Sequence, residues 1–218
     1  MQGGWQTIVD QLYAKADRAG VTMVTGTNVM EIGHDGTVRK IKFADGKEMN
    51  ITHVISATPP EVTCRLLGNA VCKSVLRWNE QARKVAVACL DLCLMRLPVP
   101  NRFAVLGVDQ PIYFGNQSKF TRLSRDGTSV VSIIKHNGTG GTDAKADERF
   151  LEQMMDLIQP GRRKELVARQ YLPNMVVAHD YMHIGREDRF PSPAVPEITG
   201  LYVAGEWASH GSSFKLFH

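Results

Sequence analysis

The sequence closes on Thr199, the apolar run GLYVA, then Gly205, Glu206 and Trp207, and the small hydroxylated stretch ASHGSS. A buried strand fixes its own end rigidly, a glycine lets backbone approach a ligand closely, and a carboxylate placed there can accept hydrogen bonds from a row of hydroxyls. Ser212 and Ser213 would open a helix whose first amides are free to donate to a carbonyl or a phosphate. The chemistry implied is recognition of a polar, hydroxyl-rich ligand; a core strand ending in a surface glutamate is the plainer reading.

Other candidates are weaker. The strand SVVSIIKH and the loop NGTGGTD imitate a phosphate-binding turn, and Gly138 and Gly140 fit G-x-G-x-x-G, but Asp143 takes the third glycine's place and would repel phosphate. The spacing predicts instead a helix capped by Thr142 or Asp143. His179 and His183 lie four apart in an extended stretch without HExxH, so they read as structural histidines and no metal is assigned. GSS is not a G-x-S-x-G elbow. The four cysteines, Cys64, Cys72, Cys89 and Cys93, have no CxxC or zinc-like spacing and read as reduced core thiols.

The elements that must position these residues follow from periodicity. Ile8, Val9, Leu12, Tyr13 and Ala16 keep a helical period that Gly20 ends. VTMVTG, NVMEIG, TVRKIKFA, KEMNI and HVISAT read as strands of a β-meander, with Asp35-Gly36 and Asp45-Gly46 as hairpin signals. Pro59 and Pro60 stop the last strand and open a helix at EVTCRLLG. Longer strands follow at ARKVAVACLDLCL, FAVLGV, PIYFGNQ and TSVVSIIKH. DAKADERFLEQMMDLIQP is a helix with Phe150, Leu151, Met154, Met155, Leu157 and Ile158 on or near one face. VARQYLPNMVVAHDYMHIG reads as strand broken at Pro173, and RFPSPAVPEITG as an extended connector.

With 218 residues, 43% apolar and 22% charged, the chain is an ordinary globular protein. No apolar run approaches the ~18–20 residues of a membrane span. The opening MQGGWQTIVDQ has no secretory pattern, so a cytoplasmic location is expected. The net charge of +4 is scattered apart from Arg162, Arg163 and Lys164, which read as a solvated turn after a helix, and no nucleic-acid partner is expected.

Taken together and in order, MQGGWQTIVDQLYAKADRAGVTMVTGTNVMEI, DGTVRKIKFADGKEMNITHVISATPP and GLYVAGEWASHGSS resemble the later part of the flavin-containing amine oxidase and phytoene desaturase superfamily. The resemblance is specific at both ends and vague from about Lys73 to Pro196. It implies an α+β fold: a mixed or antiparallel substrate-domain sheet with helices, plus the β-meander and terminal strand of an interrupted FAD-binding, two-dinucleotide-fold domain. Residues 1–72 would belong to the FAD-binding domain, 73–190 to a substrate-type domain, and 191–218 would return to the first.

The resemblance also implies site residues. Val29 would contact the adenine through its backbone, Thr58 and Pro59 would form the turn beside the flavin, and Gly205 and Glu206 would bind the ribityl chain. Trp207, Ser212 and Ser213 would stand near the cofactor. The implied activity is oxidation of a C–H bond of a small-molecule substrate, beside an amine nitrogen or allylic, by hydride transfer to FAD.

The superfamily's glycine-rich pyrophosphate turn is missing, so the chain reads as a carboxyl-terminal portion with weak or no FAD binding of its own, inactive alone. Amine-oxidising members place a lysine near the flavin from the strand resembling ARKVAVACLDL. Here Lys84 lies at its start and Leu90 and Asp91 stand at the best-matching later positions, so no catalytic residue is nominated. The competing reading is a non-catalytic remnant or interaction module that keeps the fold without FAD. A half-built cofactor surface could also drive homo-oligomer formation.

Overall fold

The computed structural model describes residues 4–138, 142–181, 183–185 and 192–208. In chain order the elements are helix α1 (Trp5–Arg18), strands β1 (Val29–His34), β2 (Val38–Phe43), β3 (Glu48–Asn50) and β4 (Val54–Ser56), and helices α2 (Pro60–Leu67) and α3 (Lys73–Gln81). There follow β5 (Val85–Leu94), β6 (Ala104–Leu106), β7 (Ile112–Asn116), β8 (Ser129–His136), α4 (Ala144–Ile158), β9 (Leu166–Ala178) and β10 (Leu201–Val203). The fold is α+β, with helices and largely antiparallel sheets.

Two compact units divide the chain: residues 1–23 with 85–177, and residues 24–84 with 178–218. The cuts differ from breaks at 72 and 190 in that α1 groups with the middle of the chain and α3 with the meander.

The first unit is built on a five-stranded sheet of order β6-β7-β8-β5-β9. Alternation along each strand sends Leu90, Leu92 and Leu94 of β5, Ile112 and Phe114 of β7, and Val131 and Ile133 of β8 to one face, where Leu151, Met155 and Ile158 of α4 cover them. Asp143 caps α4 by accepting from the amides of Lys145 and Ala146, each at 3.0 Å. Leu157 points away and is exposed.

Two expectations are corrected in this unit. β9 runs unbroken through Pro173, because it is an edge strand where a missing N–H costs no ladder bond. Arg162 is not solvated: it is 1% exposed, its guanidinium folded back onto Glu152 and Asp156 of the preceding helix. Carboxylates four apart on one helix face present a ready double acceptor for that fork.

The second unit pairs β1, β2 and β3 antiparallel and, separately, β4 with β10 in parallel. The meander therefore has three strands, not five. HVISAT leaves it to pair with the chain's last strand, and VTMVTG forms no strand, its Val21, Met23 and Val24 half-exposed with no neighbouring ladder among the described residues. The core gathers Ile32, Val38, Leu66, Leu67, Val75, Ile198, Leu201, Val203 and Trp207.

Gly200 makes the return of β10 possible. Its φ is +85°, and a Cβ there would sit 2.3 Å from the Thr52 carbonyl oxygen. Glu197 closes the same return by accepting from the Ser74 amide at 3.1 Å and the Ser74 hydroxyl at 2.8 Å, capping α3 from afar.

Candidate functional site

Parallel pairing of β4 with β10, in the register Val54 to Leu201, Ile55 to Tyr202 and Ser56 to Val203, makes both strands end at the same place. The Ala204 amide adds one more bond to the Ser56 carbonyl, at 3.0 Å. Beyond that point the two chains part, one into Ala57-Thr58-Pro59 and α2, the other into Gly205-Glu206-Trp207. A crevice outside the carboxyl ends of parallel strands is where open α/β sheets bind ligands.

The first arm is extended because a residue preceding proline is steered out of the helical region; Pro59, itself before Pro60, has φ −55° and ψ 155°. Its hydroxyls form a closed triangle: Ser56 to Thr58 at 2.9 Å, Ser56 to Thr63 at 3.0 Å and Thr58 to Thr63 at 3.0 Å. Ser56 and Thr63 are buried, so each hydroxyl is matched within the triangle and not by water.

The second arm carries Gly205 with φ +146°, a conformation that favours glycine; a Cβ there would also lie 3.2 Å from the Trp207 indole. Trp207 is 1% exposed and packs at a tilt on Trp78, with ring centroids 6.2 Å apart. Its indole N–H donates to the Thr58 carbonyl at 3.0 Å, tying the arms together. Glu206 is exposed, and one carboxylate oxygen accepts the His179 amide at 2.9 Å.

Of the residues singled out from sequence, the structure thus brings together Thr58, Pro59, Gly205, Glu206 and Trp207. Val29 stands apart at the start of β1, opposite Phe43 in the three-stranded sheet. Ser212 and Ser213 lie outside the described residues. His183 bonds the Gln81 carbonyl at 3.0 Å, and the buried Asp180, which follows His179, accepts from the amides of Arg83 at 3.1 Å and Tyr181 at 2.9 Å. Among the described residues no group of three histidine, cysteine or acidic side chains could hold a metal. Lys84 is paired with Glu61 of α2.

Sequence reasoning missed Ser56, Thr63 and Trp78, and it read His179 only as a structural histidine, without its amide contact to Glu206. Ser56 and Thr63 stand two residues before and five after Thr58, and only the strand-to-helix reversal at the prolines makes those offsets converge. The cysteines are free; burial, reinforced by the neighbouring Asp91 charge, pushes the Cys89 thiol up to about 12, which keeps it protonated and unreactive.

A family model described as flavin containing amine oxidoreductase matches residues 1–75. The fold as a whole superposes on an oxidoreductase from Methanosarcina mazei with a TM-score of 0.72 at 21% identity, over 95% of this chain and 50% of that one. Residues 1–75 are thus similar to that family, and the fold is one shared with this oxidoreductase.

The PF1083 protein from Pyrococcus furiosus shares the fold with a TM-score of 0.65 at 18% identity, over 94% of this chain and 47% of its own. A reduced UDP-galactopyranose mutase matches with a TM-score of 0.58 at 12% identity, over 75% and 37%. The chain therefore spans about half the length, or less, of these solved structures. A search of curated proteins gives no match.

The residues on the two arms fit one part of a flavin nucleotide. The exposed Glu206 carboxylate keeps an oxygen beyond the one given to His179, and it stands at the strand end where a polyol could donate to it. Thr58 has less to offer. Its carbonyl is taken by Trp207 and its hydroxyl by the triangle, so its contribution is the shape of the turn.

Proposed function

We propose that this chain is the later part of an FAD-dependent oxidoreductase that oxidises a C–H bond of a small molecule, of amine or allylic type, by hydride transfer to flavin. The observation that supports the reading is the parallel closure of β4 on β10, which sets Glu206 beside the Thr58–Pro59 turn. Glu206 would accept hydrogen bonds from the ribityl hydroxyls, Val29 would meet the adenine through its backbone, and Thr58 and Pro59 would border the ring system. When bound, FAD supplies the two-electron acceptor; the protein orients the substrate and excludes water.

No residue of this chain is assigned to proton transfer. The glycine-rich turn that would hold the pyrophosphate is not in this sequence, so the reading expects it to come from a further segment of strand, G-x-G-x-x-G and helix.

The test is complementation. Supplying such a segment, in one polypeptide or as a partner chain, is expected to give a yellow protein with bound FAD. Glu206→Ala should lower its affinity about tenfold or more, the scale of a lost hydrogen bond to a charged group. A complemented protein that stays colourless when titrated with FAD would sink the reading.

A further inference from the structure

The turn between β4 and α2 lacks the means to hold itself. Pro59 and Pro60 have no amide hydrogen, so two successive positions can donate nothing to their surroundings. The Pro59 carbonyl is occupied by α2, accepting from the amides of Val62 and Thr63, each at 3.0 Å. What fixes Thr58 comes from outside the turn: the Trp207 indole on its carbonyl, and the hydroxyls of Ser56 and Thr63 on its side chain. Trp207 is too deeply buried to present a face to a ligand, and Thr63 is fully buried.

We infer that Trp207 and Thr63 are positioning residues, a brace that sets the Thr58–Pro59 turn against the Gly205–Glu206 arm before any cofactor arrives. The inference rests on the flavin reading above. It accounts for a polar side chain kept in a fully buried place, and for an indole aimed across to the other arm. The brace acts through preorganisation: a turn already held in its binding geometry pays no ordering cost when the ligand enters. Glu206 is held from the other side by the His179 amide, so one arm is fixed at the Thr58 carbonyl and the other at the Glu206 carboxylate.

The variants are chosen to remove one hydrogen bond and little volume. Trp207→Phe keeps a ring but loses the N–H, Thr63→Val keeps the shape but loses the hydroxyl, and Thr63→Ser gives the hydroxyl back. Two readouts on the full chain are needed: amide hydrogen exchange of Ala57, Thr58 and Glu206, and titration with FAD followed by flavin fluorescence.

Trp207→Phe and Thr63→Val should each speed exchange at those amides and weaken FAD binding, both about tenfold, while exchange in β5 and β8 stays unchanged. Thr63→Ser should recover most of both. Should Trp207→Phe fail to fold, the Thr63 pair carries the test alone. Exchange and affinity equal to the parent in Thr63→Val would overturn the brace. Faster exchange with unaltered FAD affinity would also overturn it, leaving the cofactor reading intact. Should the parent chain alone bind no FAD at millimolar concentrations, as a chain without the pyrophosphate turn is expected to, the same titrations are made on the complemented protein; a complemented parent that binds no FAD removes the reading on which the inference rests, and the inference with it.

Discussion

The two units hold together by different means. In the unit of α1, β5–β9 and α4, β5 pairs with β8 along its length, from Val87 opposite His136 to Leu94 opposite Ser129, and one aliphatic face packs on one helix. In the other unit the site depends on β4 and β10, strands of three residues each, far apart in the sequence. Three ladder positions are little to hold a sheet, so the closure leans on what surrounds it: Trp207 on Trp78, Gly200 against Thr52, and Glu197 on Ser74. The first unit is stabilised by repetition and the second by a few irreplaceable contacts, and the candidate site sits on the second.

The largest test of that contrast is Trp207→Ala. Truncating a fully buried indole is expected to cost about 3–5 kcal/mol. If closure depends on few contacts, hydrogen exchange should rise throughout β1–β4 while β5 and β8 keep their protection. Equal loss in both units would break the comparison.

Next in size is Arg162→Ala in the other unit. It removes a buried guanidinium and its packing, while Asp156 keeps Arg163 and Glu152 keeps Arg169 as partners, so ~3 kcal/mol is expected, at the low end for breaking a buried pair. The loss should appear in denaturant unfolding of the α4 and β-sheet unit. Gly200→Ala should follow at about 2 kcal/mol, since φ +85° and the Thr52 carbonyl both oppose a side chain. Its expected signature is faster exchange at the Val54 amide, which bonds the Gly200 carbonyl.

These sites also mark where the sequence could and could not be read. The Asp35-Gly36 and Asp45-Gly46 turns, with glycine φ values of +96° and +82°, announce their hairpins locally, as Pro59-Pro60 announces α2 and Asp143 announces α4. Partner choice is not local. Nothing in HVISAT says that it leaves the meander for the last strand; only the resemblance suggested that Thr58 and Glu206 belong together. Nor does VTMVTG differ in composition from a strand. What it lacks is a neighbour. Arg162 was misread because Pro-Gly-Arg-Arg-Lys looks like a cationic helix exit, whereas its carboxylate partners Asp156 and Glu152 lie back in the helix and wait for the chain to fold over them. The buried hydroxyls of Ser56 and Thr63 carry no signal in composition, because serine and threonine are mostly surface residues.

The smallest effect gives the finest version of the comparison, since each unit holds one carboxyl below its ordinary range by a different means. For Asp156, burial works to raise the value, but the Arg163 hydrogen bond and the charges of Arg162 and Arg163 outweigh it. For Glu197, burial again works upward and is outweighed by hydrogen bonds from the neutral Ser74 hydroxyl and amide. A carboxyl lowered in the folded state contributes stability that is fully present above its unfolded value, about 4, and is lost as pH falls through the lower folded value. Both Asp156→Asn and Glu197→Gln should therefore flatten the fall in stability below about pH 4. Salt should separate them: the Asp156 contribution comes from partly exposed full charges and should shrink between low and molar ionic strength, whereas that of Glu197 comes from dipoles at contact distance and should persist. Unfolding curves across pH 2–5 at two salt concentrations decide it. An equal salt response in the two variants would show that the units share one mode of acid stability after all.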